Sequence, residues 1–237
     1  MHADPSAFTV FNNPVASCQQ KSFLVGLGHQ RGFMLSELDR QFLTLLLPVK
    51  DAGVFSSGYL RNGNEIFSQQ YVSAGFARKF GESICAFAGG WMYTVTQGEG
   101  YGSKTVPGAS AGFSGKLGKS VTVSTLLELP AVKDEWLFPA TVFQSGISIH
   151  CSEVCRLEAS GDLQPDTPFE LSLGIYYKPV EKVVFRTGII SAPFSFYGAT
   201  ELHLARFRLD ISVVHQPQIG LTPRIGIAFE TDKKDRN

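Results

Sequence analysis

The stretch from Tyr71 to Gln97, YVSAGFARKFGESICAFAGGWMYTVTQ, alternates between bulky and small or polar side chains over most of its length. In the first arm Val72, Ala74, Phe76 and Phe80 share one face, and Ser73, Gly75, Ala77 and Lys79 the other. In the second arm Cys85, Phe87, Trp91, Tyr93 and Val95 form a bulky face, backed by Ala86, Ala88, Gly90, Thr94 and Thr96. A period of two is the strand signature, and Gly81-Glu82-Ser83 between the arms reads as a tight turn. Both arms are long, whereas strands of soluble domains average about five or six residues. Long strands with a greasy face and a small or polar face suggest a transmembrane β-barrel, bulky side outward.

The same alternation predicts fourteen strands: 22–30, 38–49, 52–61, 65–80, 83–97, 105–118, 120–130, 140–150, 154–161, 168–178, 181–191, 193–203, 206–216 and 218–230. The links at Pro48–Asp51, Gly81–Ser83, Gly118–Ser120, Ser152–Val154, Pro179–Glu181 and Leu204–Arg206 are short. Longer links at 61–65, 97–105, 130–140 and 161–168 fall between them. Short turns on one side and long loops on the other are the habit of outer-membrane barrels, whose periplasmic turns are the short ones. A soluble sandwich has no reason to show this parity. The expected fold is therefore all-β: a single transmembrane, antiparallel, up-and-down barrel of about 14 strands over 21–230. A lead occupies 1–20 and a polar tail 231–237.

The sorting extends along the chain. Leu127, Leu173, Phe207, Leu209 and Phe229 join Phe76, Phe87, Trp91 and Tyr93 as candidates for the lipid face. Charges of both signs collect on the other face: Glu128, Arg156, Glu158, Glu170, Lys178, Arg186, Arg208, Asp210 and Arg224. As a functional lining they would set the selectivity of a pore or bind a polar ligand. The blander account, a network that pairs internally, is favoured by the balance of sign, because buried charges need partners.

Composition agrees. Charged residues make up 18% of the chain, below the usual quarter, and 19 Phe is many for 237 residues. The net charge is zero, which removes a basic nucleic-acid surface. No apolar run reaches the length of a transmembrane helix, and a barrel wall needs none. Residues 1–17 lack a basic start and an apolar h-region. Val15-Ala16-Ser17-Cys18 has the form of a lipoprotein cleavage box, but no apolar stretch precedes it. An exported barrel needs a signal, so the chain reads as a mature form or as beginning after the true start.

Of four cysteines, Cys85 reads as a small hydrophobe on its strand. Cys151 and Cys155 flank the turn Ser152-Glu153-Val154, where a disulfide is geometrically feasible. A metal site built on them and His150 lacks a second ligand pair.

Several segments are similar to a known group. Asp4–Ala16, DPSAFTVFNNPVA, resembles the Asn-Pro lead of Bacteroidota outer-membrane barrels related to FadL, PorV and PorQ. RGFMLSEL (31–38), AGFARKFGESICAFAG (74–89), QGEGYGS (97–103), KPVEKVVFRTGI (178–189) and FRLDISVVHQPQIGLTPRIGIAFE (207–230) look like that group too. The resemblance implies a fourteen-stranded barrel with its N-terminal segment tucked toward the lumen. FadL-type members pass hydrophobic molecules, and PorV and PorQ serve type IX secretion. The chain departs from the group in being shorter than PorV, in carrying Glu128-Leu129-Pro130 where relatives have Asn-Pro, and in continuing past Phe229 with ETDKKDRN.

No Gly-x-Ser-x-Gly, His-Glu-x-x-His or P-loop is present, and the five His sit in no compact catalytic motif. Gly98-Glu99-Gly100-Tyr101-Gly102 has no helix after it to receive a phosphate and reads as an outer loop. The expectation is a non-enzymatic outer-membrane barrel without cofactor. It would act as a transport channel for small molecules, including hydrophobic ones, or as a docking barrel for secretion or other envelope partners. Its partners would be membrane lipid and a small hydrophobic ligand or an envelope protein, with no nucleic acid. A FadL-like role would need a lateral opening, for which Gly89-Gly90 is a candidate. The rivals are a soluble β-sandwich or ligand-binding barrel, and an adhesin or scaffold using the loops at 97–105 and 130–140.

Overall fold

Fourteen antiparallel strands, each hydrogen-bonded to its sequence neighbours, close on themselves through β1 and β14. They are β1 Leu24–Arg31, β2 Asp39–Val49, β3 Gly53–Gly63, β4 Phe67–Phe80, β5 Ile84–Gln97, β6 Gly102–Leu117, β7 Val121–Pro130, β8 Val142–His150, β9 Cys155–Leu163, β10 Glu170–Val180, β11 Val183–Ser191, β12 Phe194–Leu204, β13 Phe207–Gln216 and β14 Gly220–Glu230. The computed structural model describes residues 9–98, 102–131, 140–165 and 167–231. The expected loops at 97–105 and 130–140 lie partly outside that range, as does most of the tail at 231–237. Closure leaves no unpaired edge among the strands, which a sheet in lipid requires because no water is there to satisfy it.

Outward positions are apolar from strand to strand: Leu43 and Leu47 on β2, Leu171, Leu173 and Ile175 on β10, and Ile211 and Val213 on β13 are all exposed. An apolar exterior of this extent is unsuited to a soluble monomer. Inward positions of the β9–β14 arc carry charge and hydroxyl groups. This inversion of the soluble pattern separates the barrel from the soluble-sandwich expectation.

The β4–β5 hairpin corrects the sequence reading on one point. Phe80 pairs with Ile84 across the turn, so Phe76 lies opposite Ala88 and Ala77 opposite Phe87. The bulky faces of the two arms therefore point to opposite sides of the wall. Phe76 is 37% exposed and faces out, whereas Phe87 at 7% and Trp91 at 4% are buried in the lumen, and Tyr93 shares their face. Phe87, Trp91 and Tyr93 are thus not lipid-facing. The exterior of β5 is Ile84, Ala86, Ala88, Gly90 and Met92.

What they bury against is the N-terminal segment. A helical turn, α1 (Thr9–Asn12), is followed by a 3-10 turn, Pro14–Gln19, and both lie inside the barrel. Val10 packs into a cluster with Leu24, Phe42, Leu46, Val54 and Ala228. Val15 packs with Ala77, Cys85, Phe87 and Leu126. Gly58 and Gly112 make room, since a Cβ at Gly58 would meet Phe11 at 2.7 Å and one at Gly112 would meet Val15 at 2.7 Å.

Cys85 faces inward and forms a disulfide with Cys18, so it is not a free hydrophobe. Cys151 and Cys155 are both free thiols, which removes the pairing considered for them. Gly89 and Gly90 do not open the wall, because both pair in register with β4 and with β6.

Candidate functional site

The lumen is divided lengthwise. The plug packs through Val10 against β1, β2, β3 and β14 and through Val15 against β4, β5 and β7, and small inward residues such as Gly58, Ala77 and Gly112 give it space. Its ring Phe11 meets Phe42 and Tyr71 edge-on at 6.4 Å each, and Tyr71 stacks on Trp91 at 5.9 Å. At its exit, Gln20 Nε2 donates to Ser22 O at 2.9 Å and to Glu230 Oε1 at 3.1 Å, tying the plug to the last strand. Ser22 and Arg208 also bond to the Glu230 carboxylate.

The opposite arc is ionic. Glu201 on β12 and Asp210 on β13 are directly paired, a juxtaposition of like charges that would repel. Arg186 on β11 reaches both, with Nη2 donating to Glu201 Oε2 at 3.1 Å and to Asp210 Oδ2. Ala199, the residue opposite Arg186, is small enough to let the guanidinium cross diagonally. Arg224 on β14 lies 3.5 Å from Asp210 and donates from Nε to Ser212 Oγ at 2.9 Å. His203 Nε2 lies 2.8 Å from the other Glu201 oxygen. On β9, Arg156 pairs with Glu158 at 2.8 Å and stacks over the Tyr176 ring at 4.0 Å. The charges just described survive burial because each of them has a partner of opposite sign.

All nine charged candidates sit on the inner face. Arg186, Asp210 and Arg224 join one network, Arg208 bonds Glu230, Arg156 pairs with Glu158, and Glu128 accepts from Tyr71 Oη at 3.1 Å. Glu170 borders the cavity described below, and Lys178 stands half-buried toward the other end of β10. On the exterior, Phe76, Leu127, Leu173 and Phe207 are exposed. Leu209 shares the Phe207 face, and Phe229 meets Phe207 edge-on at 5.6 Å.

Sequence reasoning missed Glu201, Asp162, Phe11 and Asn12. Glu201 alternates in phase with Tyr197 and Ala199, a pattern readable from β12. Asp162 extends the Arg156 and Glu158 phase, but an expected strand end at 161 left it in a loop. The plug residues carry no periodic signal.

Between plug and ionic arc lies a cavity of about 290 Å³. Phe11 and Asn12 border it from the plug, with Asp162, Glu170, Tyr197 and Arg224 among the wall residues. Among the described residues no group of three or more His, Cys, Asp or Glu side chains is arranged to hold a metal. Among the described residues, the wall of this cavity presents hydrogen-bonding groups and charges of both signs.

A closed fourteen-stranded antiparallel barrel, apolar outside and charged within, belongs to the class of barrels that cross membranes with strands. The chain is similar in fold to a CymD monoaromatic hydrocarbon channel, with a TM-score of 0.71 at 12% identity, covering 98% of this chain and 95% of that one. It is similar also to a TodX deltaS2S3 mutant monoaromatic hydrocarbon channel, at TM-score 0.69 and 8% identity, covering 94% of each chain. No family model matches the sequence. No curated protein matches it either.

Proposed function

We propose that the chain is an outer-membrane channel for small molecules, of the kind related to FadL and PorV, with its N-terminal segment as a fixed plug. The observation that carries this reading is the asymmetric lumen. The plug is bonded and packed to one side, and a cavity of about 290 Å³ remains on the other. A plug that merely completed a core would leave no such space. The short turns, together with the start of β1 and the end of β14, face the periplasm, and solute moves past Phe11 and Asn12 along the β8–β14 wall. The named roles of the CymD and TodX neighbours favour a small-molecule cargo over a secretion-docking role.

Two measurements test it. Fractionation of cells expressing the chain behind an export signal should recover it in the outer membrane, migrating faster on a gel unheated than heated. Vesicles containing the purified protein should then swell in small solutes, and vesicles with heat-denatured protein should not. Outer-membrane protein that passes no solute would leave the docking role in its place.

A further inference from the structure

Gln144, Asp162 and Glu170 form one inward row across β8, β9 and β10, with Gln144 opposite Asp162 and Asp162 opposite Glu170. Gln144 Nε2 donates to Asp162 Oδ2 at 3.2 Å. All three border the cavity, and Arg224, Arg186 and Tyr197 border it from the adjoining arc of wall. Both signs of charge thus face one space, and at about 290 Å³ that space is just below the about 300–1,000 Å³ typical of ligand sites.

We infer that this cavity is a binding site for a small zwitterion of amino-acid size, its ammonium at Asp162 and Glu170 and its carboxylate toward Arg224. The assignment rests on the channel reading and gives it a substrate class. A hydrocarbon held here would strip water from carboxylates and guanidinium groups without replacing those hydrogen bonds, which is unfavourable for every charged group it covers. A zwitterion replaces them at both ends. Asp162 and Glu170 stand directly opposite each other, so an ammonium at that edge of the cavity meets two carboxylates. The neighbours named for monoaromatic hydrocarbons share the fold, but this chain lines its lumen for a different cargo.

The test is calorimetric titration of the purified full chain with L-alanine, propionate and toluene, alongside vesicle swelling in alanine and in glycerol. Alanine should bind, while propionate and toluene should not. The double variant Asp162→Asn with Glu170→Gln should weaken alanine binding by about tenfold or more, as should Arg224→Gln, since each removes hydrogen bonds to a charged group. Heat-modifiable migration of every variant checks that the barrel is intact. Toluene binding without alanine binding, or unchanged affinity in the double variant, would overturn the assignment. Alanine binding without swelling would keep the site and remove the channel reading. Swelling that follows solute size alone, with no alanine binding, would keep the channel and remove the site.

Discussion

Cys18 in the plug is bonded to Cys85 on β5 across 67 residues of sequence, with their Cα atoms 6.4 Å apart. Closing a loop of that length is worth about 4 kcal/mol in the chain-entropy account of disulfides. The barrel ladder is complete without it, so the bond holds the plug rather than the wall. In the double variant Cys18→Ser with Cys85→Ser, the protein should keep its heat-modifiable migration, while protease cleavage within residues 9–20 becomes faster. Cleavage as slow as in the parent would mean that apolar packing of Val10 and Val15 alone fixes the plug.

Trp91 should be shielded from lipid, since it faces the plug. With Trp136→Phe removing the second tryptophan, brominated acyl chains should quench Trp91 fluorescence weakly. Moving the reporter to the outer face of β4, by Phe76→Trp in a background of Trp91→Phe and Trp136→Phe, should give strong quenching. Equal quenching at both positions would invert the assigned β5 orientation.

Strand number and the short turns were legible, because each depends on local alternation and turn residues. Strand limits were less so, since β9 runs to Leu163, and the parity of links is incomplete, since only Ala192 and Pro193 separate β11 from β12. The facing of β5 was legible in principle. A three-residue turn at Gly81–Ser83 pairs Phe80 with Ile84, so the even-numbered residues of both arms must share a face. Bulk alone suggested the reverse, because Phe87 and Trp91 look like lipid-facing aromatics when nothing is known to fill the lumen. The plug was the missing element, and its contacts are long-range. Nothing near Cys18 in the sequence points to Cys85 rather than Cys151 or Cys155. The ionic arc was half visible: Arg186 and Asp210 were assigned inward, but Glu201, which Arg186 also bonds, lies on a strand whose facing was not read. Alternation identifies a face, and register decides which charges on it meet.

Replacing Arg186 should be more damaging than replacing Arg224. Arg186 bonds both Glu201 and Asp210, and its side chain is 7% exposed against 24% for Arg224. Arg186→Met should leave two carboxylates facing each other with reduced compensation, a loss of about 3–5 kcal/mol. Arg224→Met leaves Asp210 paired with Arg186 and should cost less. The order is read from urea unfolding of both variants in lipid vesicles. Equal losses would mean that lumenal water, not Arg186, balances the pair.

Gly108 should not accept a side chain. It lies opposite Trp91 across the β5–β6 ladder, and the indole covers it so closely that a Cβ there would stand 2.1 Å from Trp91 Cζ2. A contact that short forces the ring to move, and the ring is held by stacking on Tyr71 at 5.9 Å, which in turn bonds Glu128. Gly108→Ala should therefore destabilise the barrel by about 1–3 kcal/mol, the usual range for overpacking a tight site. Gly115, on the same strand with open space around it, supplies the control, because Gly115→Ala meets nothing within 4 Å. Pairing Gly108→Ala with Trp91→Phe should recover much of the loss, since the smaller ring leaves room for the methyl group. If the two single changes cost the same, or the double variant recovers nothing, the indole is not what constrains position 108.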